Sequence, residues 1–214
     1  MNRFVRALAR FHAGRPWDHN AQYHRWILRR LPPRFGSALD VGAGSGELAR
    51  LLASRARAVR GIDVDAGIVG RARELTDAAA PVVFGVGDVL EGVQGGPYDV
   101  VTCVAAVHHM PIGDGLARLR ECLAPGGTLV VVGLYRPRTW SDHLIGAAAV
   151  PANVAMAWVK NRGRKRPRPV SMTAPTRPAE TTFAEIVREA RRTLPGARLR
   201  RRLFWRYTLT WHRP

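Results

Sequence analysis

The sequence predicts an open, parallel α/β sheet covered by helices on both faces. Three observations carry that expectation. From Ser37 to Leu134 short apolar strands alternate with amphipathic helices, the order that builds a parallel sheet. The first of those strands runs into a glycine-rich turn, the place where such a sheet binds a ligand. The 214 residues, 46% of them hydrophobic, suit one domain with a sizeable core.

Phe4, Leu8 and Phe11 recur at helical spacing between Arg3, Arg6 and Arg10, which predicts a short amphipathic helix over 2–12. A second helix should begin near Asp18 or Asn20, both good caps. It carries Tyr23, Trp26, Ile27 and Leu31 on one side and ends at Pro32-Pro33. Ser37–Val41 reads as the first strand and Glu47–Arg57 as a helix with Leu48, Leu51 and Leu52 inward. Val59–Val64 is then a strand, Ala66–Ala79 a helix, and Val82–Val86 and Tyr98–Val104 two further strands. A helix around Leu116, Leu119 and Leu123 should stop at Pro125-Gly126-Gly127, before an apolar strand over Thr128–Leu134.

Beyond Leu134 the rhythm fails. Trp140–Val159 is nearly all apolar, and Pro151 within it predicts two short helices. A basic run follows from Asn161 to Pro169. Thr182-Phe183-Ala184-Glu185 has capping-box spacing and opens a helix to about Thr193. Leu199–Trp211, rich in aromatics, reads as the closing strand or strands. The expected organisation is one domain over 1–214: a helical lid (1–36), a core (37–135), an apolar and basic insertion (136–180), and a closing helix and strands (181–214).

The net charge of +18 is unevenly spread. Residues 38–135 hold 8 basic and 11 acidic side chains, whereas 1–37 hold 8 and 1 and 136–214 hold 18 and 4. An excess of that kind fits nucleic acid, an anionic membrane or an acidic substrate. Only Lys160 and Lys165 are lysine, however, and so strong an arginine skew beside abundant Ala and Gly also fits the codon bias of a GC-rich genome. Cys103 and Cys122 have neither disulfide nor metal spacing, which points to a reducing cytoplasm. Arginines interrupt the first 17 residues as they would not a signal peptide, and no run reaches the ~18 apolar residues of a membrane span.

Asp40-Val41-Gly42-Ala43-Gly44-Ser45-Gly46 carries the chemistry. A dinucleotide turn needs a small residue three after the second glycine, and Glu47 stands there. Asp40, two residues before the first glycine, would repel a pyrophosphate but could hold a cationic ligand. Asp63, at the tip of the second strand, can accept both hydroxyls of a ribose. Asp88, just after the third, can accept from an adenine amino group. Each acid could equally cap a helix or sit in a solvated loop. The fourth strand runs into Ala105-Ala106-Val107-His108-His109-Met110-Pro111, and Leu123-Ala124-Pro125-Gly126-Gly127-Thr128-Leu129 enters the fifth.

These motifs resemble the class I S-adenosylmethionine (SAM)-dependent methyltransferases, in particular the small-molecule, type 11-like group. The similarity covers residues 37–135. It implies a Rossmann-like doubly wound sheet of seven strands, mostly parallel with an antiparallel last strand, and SAM as cofactor. It carries cofactor contacts onto Asp40, Gly42, Ala43, Gly44, Gly46, Asp63, Val64, Asp88, Val89 and Val104. Methyl transfer is an in-line displacement and needs a general base only if the acceptor must lose a proton. His108 and His109 are the candidates, or they simply cap the next helix. Tyr23 and His24 are candidate lid residues, or ordinary helix packing. The seven His residues are scattered and show no metal-ligand spacing.

The expected acceptor is a small apolar or aromatic metabolite. The basic carboxyl-terminal region leaves open an RNA or protein acceptor, although the polar-Pro-Pro-aromatic motif of amino-methylating nucleic-acid enzymes is replaced here by Ala105-Ala106-Val107-His108. A SAM-binding protein that has lost catalysis is the non-enzymatic alternative. The apolar run and the arginines after it make 140–168 a candidate lid or peripheral membrane contact.

Overall fold

A computed structural model of the protein describes Arg6, Arg10, Phe11, residues 13–173 and residues 177–214. Most of the helix expected over 2–12, including Phe4 and Leu8, lies outside the described residues. Seven strands form one sheet: β1 (Phe35–Val41), β2 (Ala56–Asp63), β3 (Val82–Val86), β4 (Tyr98–Val104), β5 (Leu123–Leu134), β6 (Arg198–Arg202) and β7 (Arg206–His212). Their order is β3-β2-β1-β4-β5-β7-β6. The first five are parallel, and β7 runs antiparallel to both β5 and β6. The chain order reverses between β1 and β4, which pair through Val41 and Cys103 at their carboxyl ends. That is the switch point at which an open α/β sheet presents its ligand crevice.

Successive residues of a strand face opposite sides, and each side has its own core. Leu39, Val101, Leu129, Val131 and Leu209 pack with Leu116, Leu119, Ile186 and Leu194. These partners belong to α4 (Ile112–Glu121), α6 (Phe183–Thr193) and the residue after α6. Ala38, Val100, Val130 and Val132 pack with Ile27, Leu48, Leu52 and Val69 on the other side. There the cover is α1 (His24–Leu28), α2 (Glu47–Ala53) and α3 (Ala66–Glu74). Each such fully buried aliphatic side chain stabilises the fold by about 1.5–3 kcal/mol.

Several boundaries differ from expectation. The α2 helix stops at Ala53, because β2 already begins at Ala56, and Leu51 is 40% exposed while Leu48 and Leu52 are buried. The α3 helix ends at Glu74, ahead of a turn in which Asp77 accepts the Ala79 amide. Leu123 belongs to β5 and not to the preceding helix. Pro125-Gly126-Gly127 lies inside that strand, at a register irregularity where Gly126 and Gly127 bond the Arg213 backbone.

The largest difference is α5 (Trp140–Lys160), a single helix that runs through Pro151. A mid-helix proline costs about 3 kcal/mol in a lost hydrogen bond and ring clash. Two features offset it. Thr139 and Asp142 form a reciprocal capping box, and the small residues Gly146, Ala149 and Ala157 let the inner face approach its neighbours closely. That face meets Trp17, Phe204 and Trp205, and Asn153 Oδ1 accepts from Trp17 Nε1 at 2.7 Å. No helix among the described residues is long and apolar enough to cross a membrane.

Candidate active site

The turn after β1 holds three glycines in left-handed conformations: Gly42 at φ +70°, Gly44 at +52° and Gly46 at +79°. Such values are accessible at little cost only without a side chain. Two of the three have a second, separate reason. A Cβ on Gly42 would overlap Ala106, one on Gly46 would overlap the Phe84 ring, and one on Gly44 would point into open space. The amides of Gly42 and Ala43 both donate to Ile62 O at 2.9 Å, fastening the turn to the end of β2. The Gly44 amide donates to Asp63 Oδ2 at 2.9 Å, and the Asp65 amide to Asp63 Oδ1 at 3.1 Å. Asp63 is thereby immobilised, and each oxygen retains capacity for another donor.

Asp88 is half-buried and its Oδ1 accepts from the Leu90 amide at 2.9 Å. Val64 is 69% exposed beside Asp63. The Val89 side chain is 2% exposed and packed in the core, which leaves only its main chain for contact with a ligand. Val104 is half-buried at the end of β4 and leads into Ala105, a non-glycine residue at φ +52°. Asp40 is almost wholly buried, and its Oδ1 accepts from Thr102 Oγ1 at 2.7 Å. Burial raises its pKa to about 7; the Thr102 bond opposes the shift and the nearby Asp63 charge adds to it. Open space at Gly44, a fixed carboxylate at Asp63 and a buried acid at Asp40 together fit a cationic ligand bearing a ribose.

His108 and His109 lie on a single 3-10 turn, Val107–His109, with ring centroids 4.0 Å apart. His108 Nε2 is 3.2 Å from the Arg177 carbonyl. A carbonyl only accepts, so Nε2 carries the proton and Nδ1 offers a lone pair. That Nδ1 is buried and has no hydrogen-bond partner among the described residues. Burial, then the neighbouring His109, lowers the His108 pKa to about 4; the Arg177 carbonyl opposes and Arg206 adds to the fall. His109 is exposed, and its pKa falls through partial burial and the Arg177 charge.

Tyr23 ends a 3-10 turn, Ala21–Tyr23, and His24 opens α1; both are half-buried. The Asp18 carboxylate accepts the amides of Asn20 and Ala21 at 2.6 and 3.1 Å, which starts this segment as its sequence suggests. Burial raises the Tyr23 pKa against the charges of Arg206 and Arg202, and burial lowers that of His24 against Asp18. Asp18 also lies near enough to Glu47 to add to the rise that burial causes there. The segment thus reaches from the first residue of α2 to Arg206. Arg206 was missed in the sequence: it is one of 34 basic residues, and only its burial sets it apart.

Two open depressions, of about 690 and 530 Å³, lie at the amino ends of the strands, around Phe35 and Ala56 and around Tyr98. Neither contains a residue of the glycine turn, and the ligand crevice of such a sheet is at the other end.

Residues 38–127 match the model of a family described as a methyltransferase domain. An uncharacterized methyltransferase of Mycobacterium tuberculosis is 32% identical over 205 residues, covering 93% of this chain and 98% of the relative. A ubiquinone biosynthesis O-methyltransferase of Xanthomonas axonopodis is 31% identical over 161 residues, 64% of this chain and 66% of that one. Among solved structures, the N-methyltransferase NodS of Bradyrhizobium japonicum in complex with S-adenosyl-L-homocysteine (SAH) superposes with a TM-score of 0.60, at 15% identity and full coverage of both chains.

Proposed function

Because the chain belongs to the SAM-dependent methyltransferases, we propose that it methylates an oxygen of a small apolar or aromatic metabolite. The observation that carries this reading is the Gly44–Asp63 hydrogen bond at the open end of the switch point, with His108 Nδ1 unpartnered on the adjoining turn. The relative in Xanthomonas, named for O-methylation in ubiquinone biosynthesis, supports oxygen as the accepting atom. SAM, when bound, supplies a methyl group made electrophilic by its sulfonium.

The chain's own residues bind and align. Asp63 accepts the ribose hydroxyls, Asp88 the adenine amino group, and Asp40 faces the cationic amino-acid end. The Gly42–Gly46 backbone makes room for them. His108 Nδ1 accepts the hydroxyl proton of the acceptor. Its low pKa makes it a hydrogen-bond acceptor first and a proton acceptor only as attack proceeds, so positioning contributes much of the rate. Tyr23 and His24 cover the acceptor side. The outer face of α5 and the arginines after it form a peripheral contact with membrane, from which an apolar acceptor can be drawn. The free cysteines Cys103 and Cys122 suit a reducing cytoplasm.

Calorimetry tests the cofactor assignment. SAH should bind stoichiometrically and NAD not at all. Asp63→Ala should weaken SAH about ten- to hundredfold, the loss of a charge-assisted hydrogen bond. Unchanged affinity would remove Asp63 from the site. Label from methyl-labelled SAM should pass to a metabolite extract; transfer only to RNA or to protein would replace the small acceptor.

A further inference from the structure

We propose that the acceptor carries a carboxylate group, held by Arg206. This rests on the methyltransferase reading above and names the chemical class of its acceptor. Arg206 opens β7 and pairs with Leu134, the last residue of β5. It therefore stands at the same end of the sheet as the glycine turn, and its charge reaches both Tyr23 and His108.

The guanidinium is largely buried, and burial pushes its pKa down. Nη1 donates to Phe204 O at 3.1 Å and Nη2 to Asn20 Oδ1 at 2.9 Å, both neutral acceptors. Nε is buried and has no acceptor among the described residues. Tyr23 and Asp18 oppose the fall in pKa, but Arg206 forms no ion pair with a carboxylate among the described residues. Arg201, one position before the last of β6, shows the ordinary solution: Asp142 stands 3.2 Å from its Nη1.

A buried guanidinium without an anion is an uncompensated charge. The fold fixes this one through Asn20 and Phe204 yet leaves the Nε side of its fork undonated. A planar fork with a free Nε–H matches a carboxylate in two parallel hydrogen bonds, a geometry an ammonium cannot offer. The structure thus holds a preformed half of an ion pair at the end of the sheet that carries the glycine turn and His108, and the acceptor brings the other half.

The test titrates 4-hydroxybenzoate and its neutral counterpart 4-hydroxybenzamide onto SAH-saturated protein by calorimetry. The acid should bind wild type about tenfold or more tighter than the amide. Arg206→Gln should abolish that preference while SAH affinity and amide binding stay within a few-fold. Arg206→Lys keeps the charge but loses the fork, and should retain only part of the preference; it decides the matter if the Gln variant does not fold. Equal binding of acid and amide to wild type, no acid binding at millimolar concentration, or a preference that survives in both variants would overturn the proposal. Failure of SAH to bind wild type would instead strike the methyltransferase reading itself.

Discussion

Burial holds the Asp40 carboxyl at about 7, so its charge near neutrality depends on what approaches it. A cation favours the ionised form, and SAM affinity should therefore rise between about pH 6 and pH 8 and level off beyond. Asp40→Asn should flatten that profile, as calorimetry across the range will show. The sign for folding is opposite. A pKa raised above its unfolded value of 3.8 means that the folded protein binds the proton more tightly. Stability from this group is complete below about pH 4 and is lost as pH rises to about 7. Free of SAM, the Asn variant should be the more stable at about pH 8, by at most about 4 kcal/mol, and should match wild type near pH 4 in urea titrations. His108 gives a different profile. With its pKa at about 4 it should produce no inflection of turnover near the ordinary histidine value. His108→Gln should lower turnover by about 10²–10⁴ with SAM affinity kept. Turnover within a few-fold of wild type in both His108→Gln and His109→Gln would leave positioning alone. The placement of Asp40, Asp63 and the glycines around one turn was legible because spacing along a strand and turn is a property of sequence. Ala105 was not, since nothing in an alanine announces φ +52°; such a residue costs about 1–3 kcal/mol and persists only when its surroundings impose it. Here Gly42 packs on Ala106 and the Ala105 amide donates to Val132 O, which hold the link from β4 to His108 in place.

Among the elements, α5 departs most from a local rule. Pro151 predicts a break, but the cost of a proline is local while the gain from an inner face packed on Trp17, Phe204 and Trp205 spans the helix. The outer face is apolar as well: Trp140 is 77% exposed and Trp158 57%, with Leu144 and Val150 between them. Arg162, Arg164, Lys165, Arg166 and Arg168 follow, and no acidic residue occurs from His143 to Ala179. An apolar stripe beside a basic cluster favours an anionic lipid surface, each basic residue near it adding about 1 kcal/mol. The protein should therefore co-sediment with vesicles containing phosphatidylserine and be released by salt, and Trp140→Ser with Trp158→Ser should weaken that binding. No sedimentation with either kind of vesicle would remove the membrane contact, and equal, salt-insensitive sedimentation with neutral vesicles would remove the role of the basic cluster. Part of the basic excess has a plainer role in β6, an edge strand of sequence Arg198-Leu199-Arg200-Arg201-Arg202. Charged side chains along an exposed edge discourage pairing with another chain.

At the scale of the whole molecule, the parallel core was legible because its period is written into every strand, whereas the proposed acceptor side was not. That side is assembled from residues distant in sequence, which no local pattern relates. Asn20 meets Arg206 across 186 positions, Trp17 meets Asn153 across 136, and Asn161 meets Pro16 across 145. The contacts around the cofactor turn are shorter in range: Thr102 reaches Asp40 across 62 positions, and Asp63 reaches Gly44 across 19. Loops that close late cost more entropy before they are rewarded. A chain emerging amino end first has the turn, Asp63 and β4 outside the ribosome while β7 is still to be made. At typical rates of synthesis the stretch between β4 and β7 takes on the order of 5–20 s, ample for the first strands to pair. Each molecule is thus born able to build its candidate cofactor cradle before the proposed acceptor side can be completed.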